Sequence, residues 1–158
     1  MTISSIFRSD CIVADLKART KDEVFRELVG HLVPLCPGVG REALLLGLID
    51  RERQMTTGIA RHVALPHTHV PGLQKTVGLL GVSRAGIEYQ SLDGEAVHLV
   101  FCLIGDEENP EAHIKVLRSL ALLLTNPEFF PSMMKAKGAR DLATTLEQFE
   151  SLSAKAFS

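Results

Sequence analysis

Tryptophan is absent from these 158 residues, and there is a single tyrosine. Without aromatic platforms, stacking of single-stranded nucleic acid bases has no support. An excess of charge is missing too. Seventeen Lys and Arg against nineteen Asp and Glu leave a formal net charge of −2, which exerts no bulk pull on nucleic acid or anionic lipid. The N-terminal stretch Met1 to Arg8 lacks the apolar core of a secretory signal. The longest apolar run, Val97 to Ile104 around His98, is far too short to span a membrane. Three cysteines, Cys11, Cys36 and Cys102, are odd in number and lack metal-site spacing. They read as reduced thiols of a cytoplasmic protein.

An apolar fraction of 46% with 23% charged residues suits one domain with a real core. Cys11 to Ala14 reads as an opening strand. Thr20-Lys-Asp-Glu23 forms a capping box, followed by Val24, Phe25, Leu28, Val29 and Leu32 at helical spacing. Pro34 and the Cys36 to Gly40 cluster end that helix. A second helix is expected from Arg41 to about Arg53, then an extended run over Ile59 to Leu65 before Pro66. Thr76 to Ser83 has strand length. Ile87 to Tyr89 reads as a short strand paired through the Asp93-Gly94 turn with Val97 to Ile104. Asn109-Pro-Glu111 starts a long helix to Leu124, apolar nearly all round and therefore covered by a sheet and, on one reading, a second subunit. Shorter helices are expected over 128–135 and 139–149, with a loose tail at 151–158 after a single domain over 1–150. Strands interleaved with helices predict an α/β fold: a mixed central sheet flanked by helices on both faces, a three-layer α/β/α sandwich.

The chemistry concentrates on histidine. His67 follows Pro66 at the end of the extended run, and an imidazole near neutral pH offers one unprotonated nitrogen as nucleophile. His113 lies in the first turn of the Asn109-led helix, where free backbone N–H groups favour an anion. Arg51, sixteen residues before His67, sits near the C-terminal end of the second helix, with Arg53 as its competitor. Phosphoryl transfer needs mainly positioning and cations around three peripheral oxygens, and these residues are suited to supply both. His69 follows His67 at strand spacing and faces the same side while the run stays extended. Each also has a plain structural reading: a core histidine, a dipole-complementing arginine, a helix-surface histidine, a solvated loop histidine.

Arg51-Glu52, Thr57-Gly58-Ile59 and Ala64-Leu65-Pro66-His67, then Gly86-Ile-Glu-Tyr89, Leu92 to Val97, Val97 to Ile104 and Glu111 to Leu117, fall in order at the right spacing. The pattern resembles enzyme IIA domains of the fructose/mannitol type in the bacterial phosphoenolpyruvate:sugar phosphotransferase system, a group that includes a nitrogen-regulatory branch. It covers about Ile3 to Phe149. The resemblance implies a phosphoryl carrier that accepts phosphate from the histidine phosphocarrier protein on Nε2 of His67, steadied by Arg51 and His113. The phosphate would pass to a cysteine of a IIB-type partner or serve as a regulatory mark. No cofactor is implied. One departure stands out: Ala60-Arg61-His62 occupies a place where the family usually carries Gly-x-Gly. A side chain there costs roughly 1–2 kcal/mol if the backbone needs positive φ.

Other function classes remain open at this stage. A regulatory module acting only by binding other proteins fits a chain without a recognisable IIB or membrane domain. A metal site built from His62, His67, His69 and His113 has a weak spacing signal. Cys36 to Arg41 is one residue short of the cysteine-to-arginine spacing of cysteine phosphatases and reads as an interhelix turn. A homodimer through the apolar helix and a monomer that buries it internally are equally compatible with the pattern.

Overall fold

The structure, a computed structural model, describes residues 2–58 and 61–156. Its elements run α1 (Ile3–Ile6), β1 (Ile12–Val13), α2 (Lys21–Leu32), α3 (Arg41–Gln54), β2 (Val63–Ala64), β3 (His67–Val70), β4 (Val77–Ile87), β5 (Val97–Asp106), α4 (Pro110–Leu124), α5 (Phe129–Lys135) and α6 (Ala139–Ala156). The sheet order is β1-β4-β5-β2, with β3 also on β5. Both β2 and β3 run parallel to β5, at Val63↔Leu99 and His67↔Leu103. They are two pieces of one edge strand, parted at Leu65-Pro66. Proline has no N–H to give a ladder, but its carbonyl still accepts from the Leu103 N–H at 3.0 Å.

Because β4 is antiparallel to β5 while β1 is parallel to β4, the sheet is mixed, as the Asp93-Gly94 turn implies. The hairpin differs in detail from the sequence reading. Ile87 is not part of a separate strand but the end of a long β4, opposite Val97, after an irregularity between Val82 and Ile87. Gly86, at φ +95°, lies in that interval. Tyr89 leaves the sheet and packs in the core edge-on to Phe25.

From Leu99 onward, side chains along β5 alternate between two cores, after an irregularity where the His98 and Leu99 N–H groups both donate to the His62 carbonyl. Val97, Val100, Cys102 and Ile104 face the layer of α2 and α3. Leu99, Phe101 and Leu103 face the layer that contains α1, α4, α5 and α6. Each fully buried large side chain contributes about 1.5–3 kcal/mol of transfer free energy, which is why this strand tolerates so few polar residues. The three-layer architecture follows directly.

Several helix ends differ from expectation. Thr20 accepts from the Glu23 N–H at 3.3 Å, but the Glu23 carboxylate reaches the Arg19 N–H at 3.1 Å instead of that of Thr20. Asn109 precedes Pro110 as expected, yet its side chain makes no capping bond. Helix α4 is not apolar in use all round: Val116, Leu120 and Leu123 are buried, whereas Ile114 and Leu122 are exposed. Finally, α6 continues through 151–156, where a loose tail is expected. No Gly or Pro interrupts Ser151 to Ala156. Glu150 also anchors the helix, its carboxylate accepting from the Ile3 N–H, from the Ser4 N–H at 3.1 Å and from the Ser4 hydroxyl at 2.7 Å. Among the described residues no helix is long and apolar enough to cross a membrane.

Candidate functional site

His67 opens β3, and the Leu65-Pro66 break sets its direction. The Nδ1 atom of His67 lies 2.7 Å from the Leu65 carbonyl oxygen. A carbonyl only accepts, so Nδ1 carries the proton and Nε2 keeps its lone pair. Burial holds the imidazole below its ordinary pKa, with Arg51 and His69 adding to the effect while the Leu65 carbonyl and Glu52 oppose it. With its pKa below the ordinary imidazole value, the ring is mainly uncharged at neutral pH, and its Nε2 lone pair is free.

His113, at the end of the first turn of α4, packs against that ring with centroids 5.0 Å apart. Its exposure is 1%, and among the described residues neither of its ring nitrogens has a hydrogen-bond partner. An unpaired buried polar atom costs about 1–3 kcal/mol, so a native fold keeps such a group for a reason. Burial, then the neighbouring His67 and His69, push its pKa down to about 3. Space for the ring comes from Gly105, where an added Cβ would stand 2.6 Å from His113 Nδ1 and 2.9 Å from His69 Cδ2. His69 pairs with Gly105 across the ladder, and its ring lies 4.4 Å from that of His113. Strand alternation therefore puts His67 and His69 on one face, with His113 against both.

Arg51 arrives from the opposite helical layer. Gly47 lets α3 approach β3 closely: a Cβ there would meet Thr68 Oγ1 at 2.8 Å. Arg51 lies one turn further along the same face, where its charge is felt by His67. Its Nη1 also donates to the Met55 carbonyl at 3.1 Å, so it ties down its own helix end as well. The competitor, Arg53, instead pairs with Asp50 at 3.5 Å and lines a groove with Lys21, Glu52 and Glu88.

Glu52, adjacent to Arg51, is buried. Its carboxylate accepts from the Thr57 N–H at 2.9 Å and hydroxyl at 2.7 Å, and meets the Lys21 ammonium at 2.9 Å. The Thr57 hydroxyl lies 2.8 Å from that of Tyr89, and the Thr57 carbonyl accepts from the Leu65 N–H at 3.0 Å. A continuous path of polar contacts thus runs from Lys21 and Tyr89 through Glu52, Thr57 and Leu65 to the Nδ1–H of His67.

His62 does not join this group. It lies at φ +66°, the left-handed region, in a place where the family usually carries glycine. Histidine tolerates that region better than bulkier residues. Its Nδ1 bonds to the Ala96 carbonyl at 2.8 Å, its ring stacks on Phe130 at 5.2 Å, and it meets His98 edge-on at 5.5 Å. Ala60 lies outside the described residues. Separation of His62 from the other three breaks up the four-histidine set considered for metal. Among the described residues no group of three or more His, Cys, Asp or Glu side chains has the arrangement of a metal site.

The structure brings the rings of His67 and His113 together, with Arg51 near enough for its charge to act on His67, and adds three residues that spacing alone misses. Gly105, after an eight-residue apolar run, and Gly47, inside a helix, carry only the weak signal of glycine in a regular element. Glu52 carries none, since a charged residue beside Arg51 reads as a solvated helix surface.

Residues 5–149 match the family model described as phosphoenolpyruvate-dependent sugar phosphotransferase system, EIIA 2. A nitrogen regulatory protein of Bradyrhizobium diazoefficiens is 30% identical over 146 residues, 92% of this chain and 95% of that protein. The fructose-specific EIIABC component of Bacillus subtilis is 27% identical over 150 residues, 95% of this chain and 24% of that one. Among solved structures, the nitrogen regulatory protein IIA-Ntr from Neisseria meningitidis has a TM-score of 0.85 at 26% identity, covering 91% of this chain and 98% of that one. With the match spanning both halves of the site and all three layers, the chain belongs to the EIIA 2 family of the phosphoenolpyruvate-dependent sugar phosphotransferase system.

Proposed function

We propose that this protein carries a phosphoryl group on Nε2 of His67, received in the cytoplasm from the histidine phosphocarrier protein. The observation that carries this reading is the Leu65 carbonyl at 2.7 Å from Nδ1, which leaves Nε2 as the nucleophile. The step exchanges one P–N bond for another: the bond to the carrier's histidine breaks as the bond to His67 Nε2 forms, and PO3⁻ moves. Arg51 supplies positive charge to the incoming group, and His113, whose neutral ring already carries one N–H with no partner among the described residues, supplies a donor to a phosphoryl oxygen. Such preorganised donors are worth about 10²–10³ in rate.

From His67 the group passes to a IIB-type partner, or its presence serves as a signal to a regulatory target. The second use is favoured by the degree of likeness: the nitrogen regulatory relative from Bradyrhizobium diazoefficiens is 30% identical, against 23% for a fructose-specific EIIA component of Haloferax volcanii matched over the same share of both lengths. Incubation with phosphoenolpyruvate, enzyme I and the phosphocarrier protein tests the shared step. The expected outcome is a mass gain of one phosphoryl group that His67→Ala abolishes. No gain with several carriers would leave only a binding role.

A further inference from the structure

His69 stands outside the roles assigned so far, yet its ring is closer to His113 than that of His67, at 4.4 Å against 5.0 Å. Glycine at position 105, its ladder partner, is what allows the two rings to meet: a Cβ there would lie within 3 Å of both. His113 is 1% exposed with neither nitrogen partnered among the described residues, whereas His69 is exposed. The buried ring has an exposed ring of the same chemistry laid against it.

We propose that His69 is a positioning residue for phosphoryl transfer, the solvent-side imidazole through which one proton reaches the His113–His69 pair as PO3⁻ arrives on His67. This rests on the phosphoryl-carrier reading. The transferred group adds one net negative charge beside His113. Arg51 is already charged before transfer, so it cannot offset the increment. His67 has no nitrogen to spare: Nδ1 is engaged with the Leu65 carbonyl and Nε2 receives phosphorus. The ionisable neighbours that act on His113 are His67 and His69, and those that act on His67 are Arg51, His69 and Glu52. Glu52 is held by Lys21 and Thr57. The nitrogens left to take a proton are those of His113 and His69, and of these two rings His69 is the one open to water. One proton from solvent then balances the charge, leaving an imidazolium against the phosphoryl oxygens.

The equilibrium constant for phosphoryl exchange with the histidine phosphocarrier protein, measured from pH 6 to 8.5, tests this. For the wild type it rises as pH falls, by up to about tenfold per unit where one proton is taken up, after correction for the carrier's own titration. His69→Phe keeps a ring against His113 but offers no nitrogen, and the expected profile is flattened. His69→Gln, which also cannot hold the proton, is expected to match it. Circular dichroism checks that both variants fold. Phosphorylation with an unchanged pH slope in both variants overturns the assignment to His69 alone. A wild type that accepts no phosphoryl group at any pH overturns the carrier reading and this inference with it.

Discussion

Two clusters of imidazoles lie on this sheet, and they differ in what their ring nitrogens do. In the cluster of His62 and His98, each Nδ1 is 2.8 Å from a backbone carbonyl, of Ala96 and Ser83 respectively, and Phe130 packs against both rings. These contacts complete a loop. In the other cluster His113 is sealed between His67 and His69 with both nitrogens unpaired. The first arrangement gives stability; the second gives some of it up. Imidazoles close together are therefore not a site by themselves. The unpaired one is informative.

The sharpest way to break the comparison is acid. The pKa of His113 is lowered to about 3 in the fold against roughly 6.5 unfolded. Its contribution is thus fully present above pH 6.5 and is lost as pH falls toward 3, because the unfolded chain then binds the proton that the fold excludes. The expected loss is on the order of 5 kcal/mol at full extent. Urea unfolding of wild type and His113→Leu between pH 7.5 and 4 should show the two diverging steadily. Parallel curves would mean that His113 is not held neutral.

At neutral pH the same substitution should lower phosphoryl transfer about 10²–10³-fold while leaving the fold as stable or stabilising it by about 1–2 kcal/mol, since two buried unpaired atoms disappear. His98→Leu should do the reverse: transfer unchanged, and about 1 kcal/mol of stability lost with the bond to Ser83. Transfer rates paired with melting curves separate the two. Equal effects from both variants would erase the distinction between the clusters.

Gly105→Ala should cost about 1–3 kcal/mol through overpacking and slow transfer, because the new methyl pushes on His113 and His69 together. The smallest effect is expected at His62. His62→Gly relieves the left-handed backbone but loses the Phe130 stack, so it should stay within about 1 kcal/mol of wild type. His62→Ala loses the stack and keeps the strain, so it should be the less stable of the two, a reversal of the usual order.

Much of this architecture can be read from the sequence. Periodicity places α2 and α3 within a residue or so, Pro66 marks the break before His67, and the alternation at His67 and His69 survives as a shared face. What escapes has a physical reason. The merger of Ile87 into β4 depends on an irregularity at Gly86, and a glycine alone does not say which way a strand continues. The extension of α6 rests on Glu150 reaching Ile3 and Ser4 across the whole chain, a contact with no local signature. Likewise, His113 looks like a tolerant helix-surface residue until Gly105 opens a hole beneath it. His62 shows the converse: positive φ is recognisable as a risk from the family pattern, but the stack on Phe130 that accommodates it is not.

On the proposed carrier reading, the polar path behind His67 has a consequence for how phosphoryl acceptance would be lost. The acceptor nitrogen is kept free by a carbonyl whose own residue is held through Thr57 to Glu52, Lys21 and Tyr89 in the far layer. A substitution that loosened Thr57 would free the Leu65 carbonyl to turn away and let the ring proton redistribute between both nitrogens. A fraction of molecules would then present a protonated Nε2 that cannot take a phosphoryl group, although every residue proposed to touch that group is intact. Such a loss would be graded and reversible, and it would be legible in the imidazole's own nitrogen spectrum.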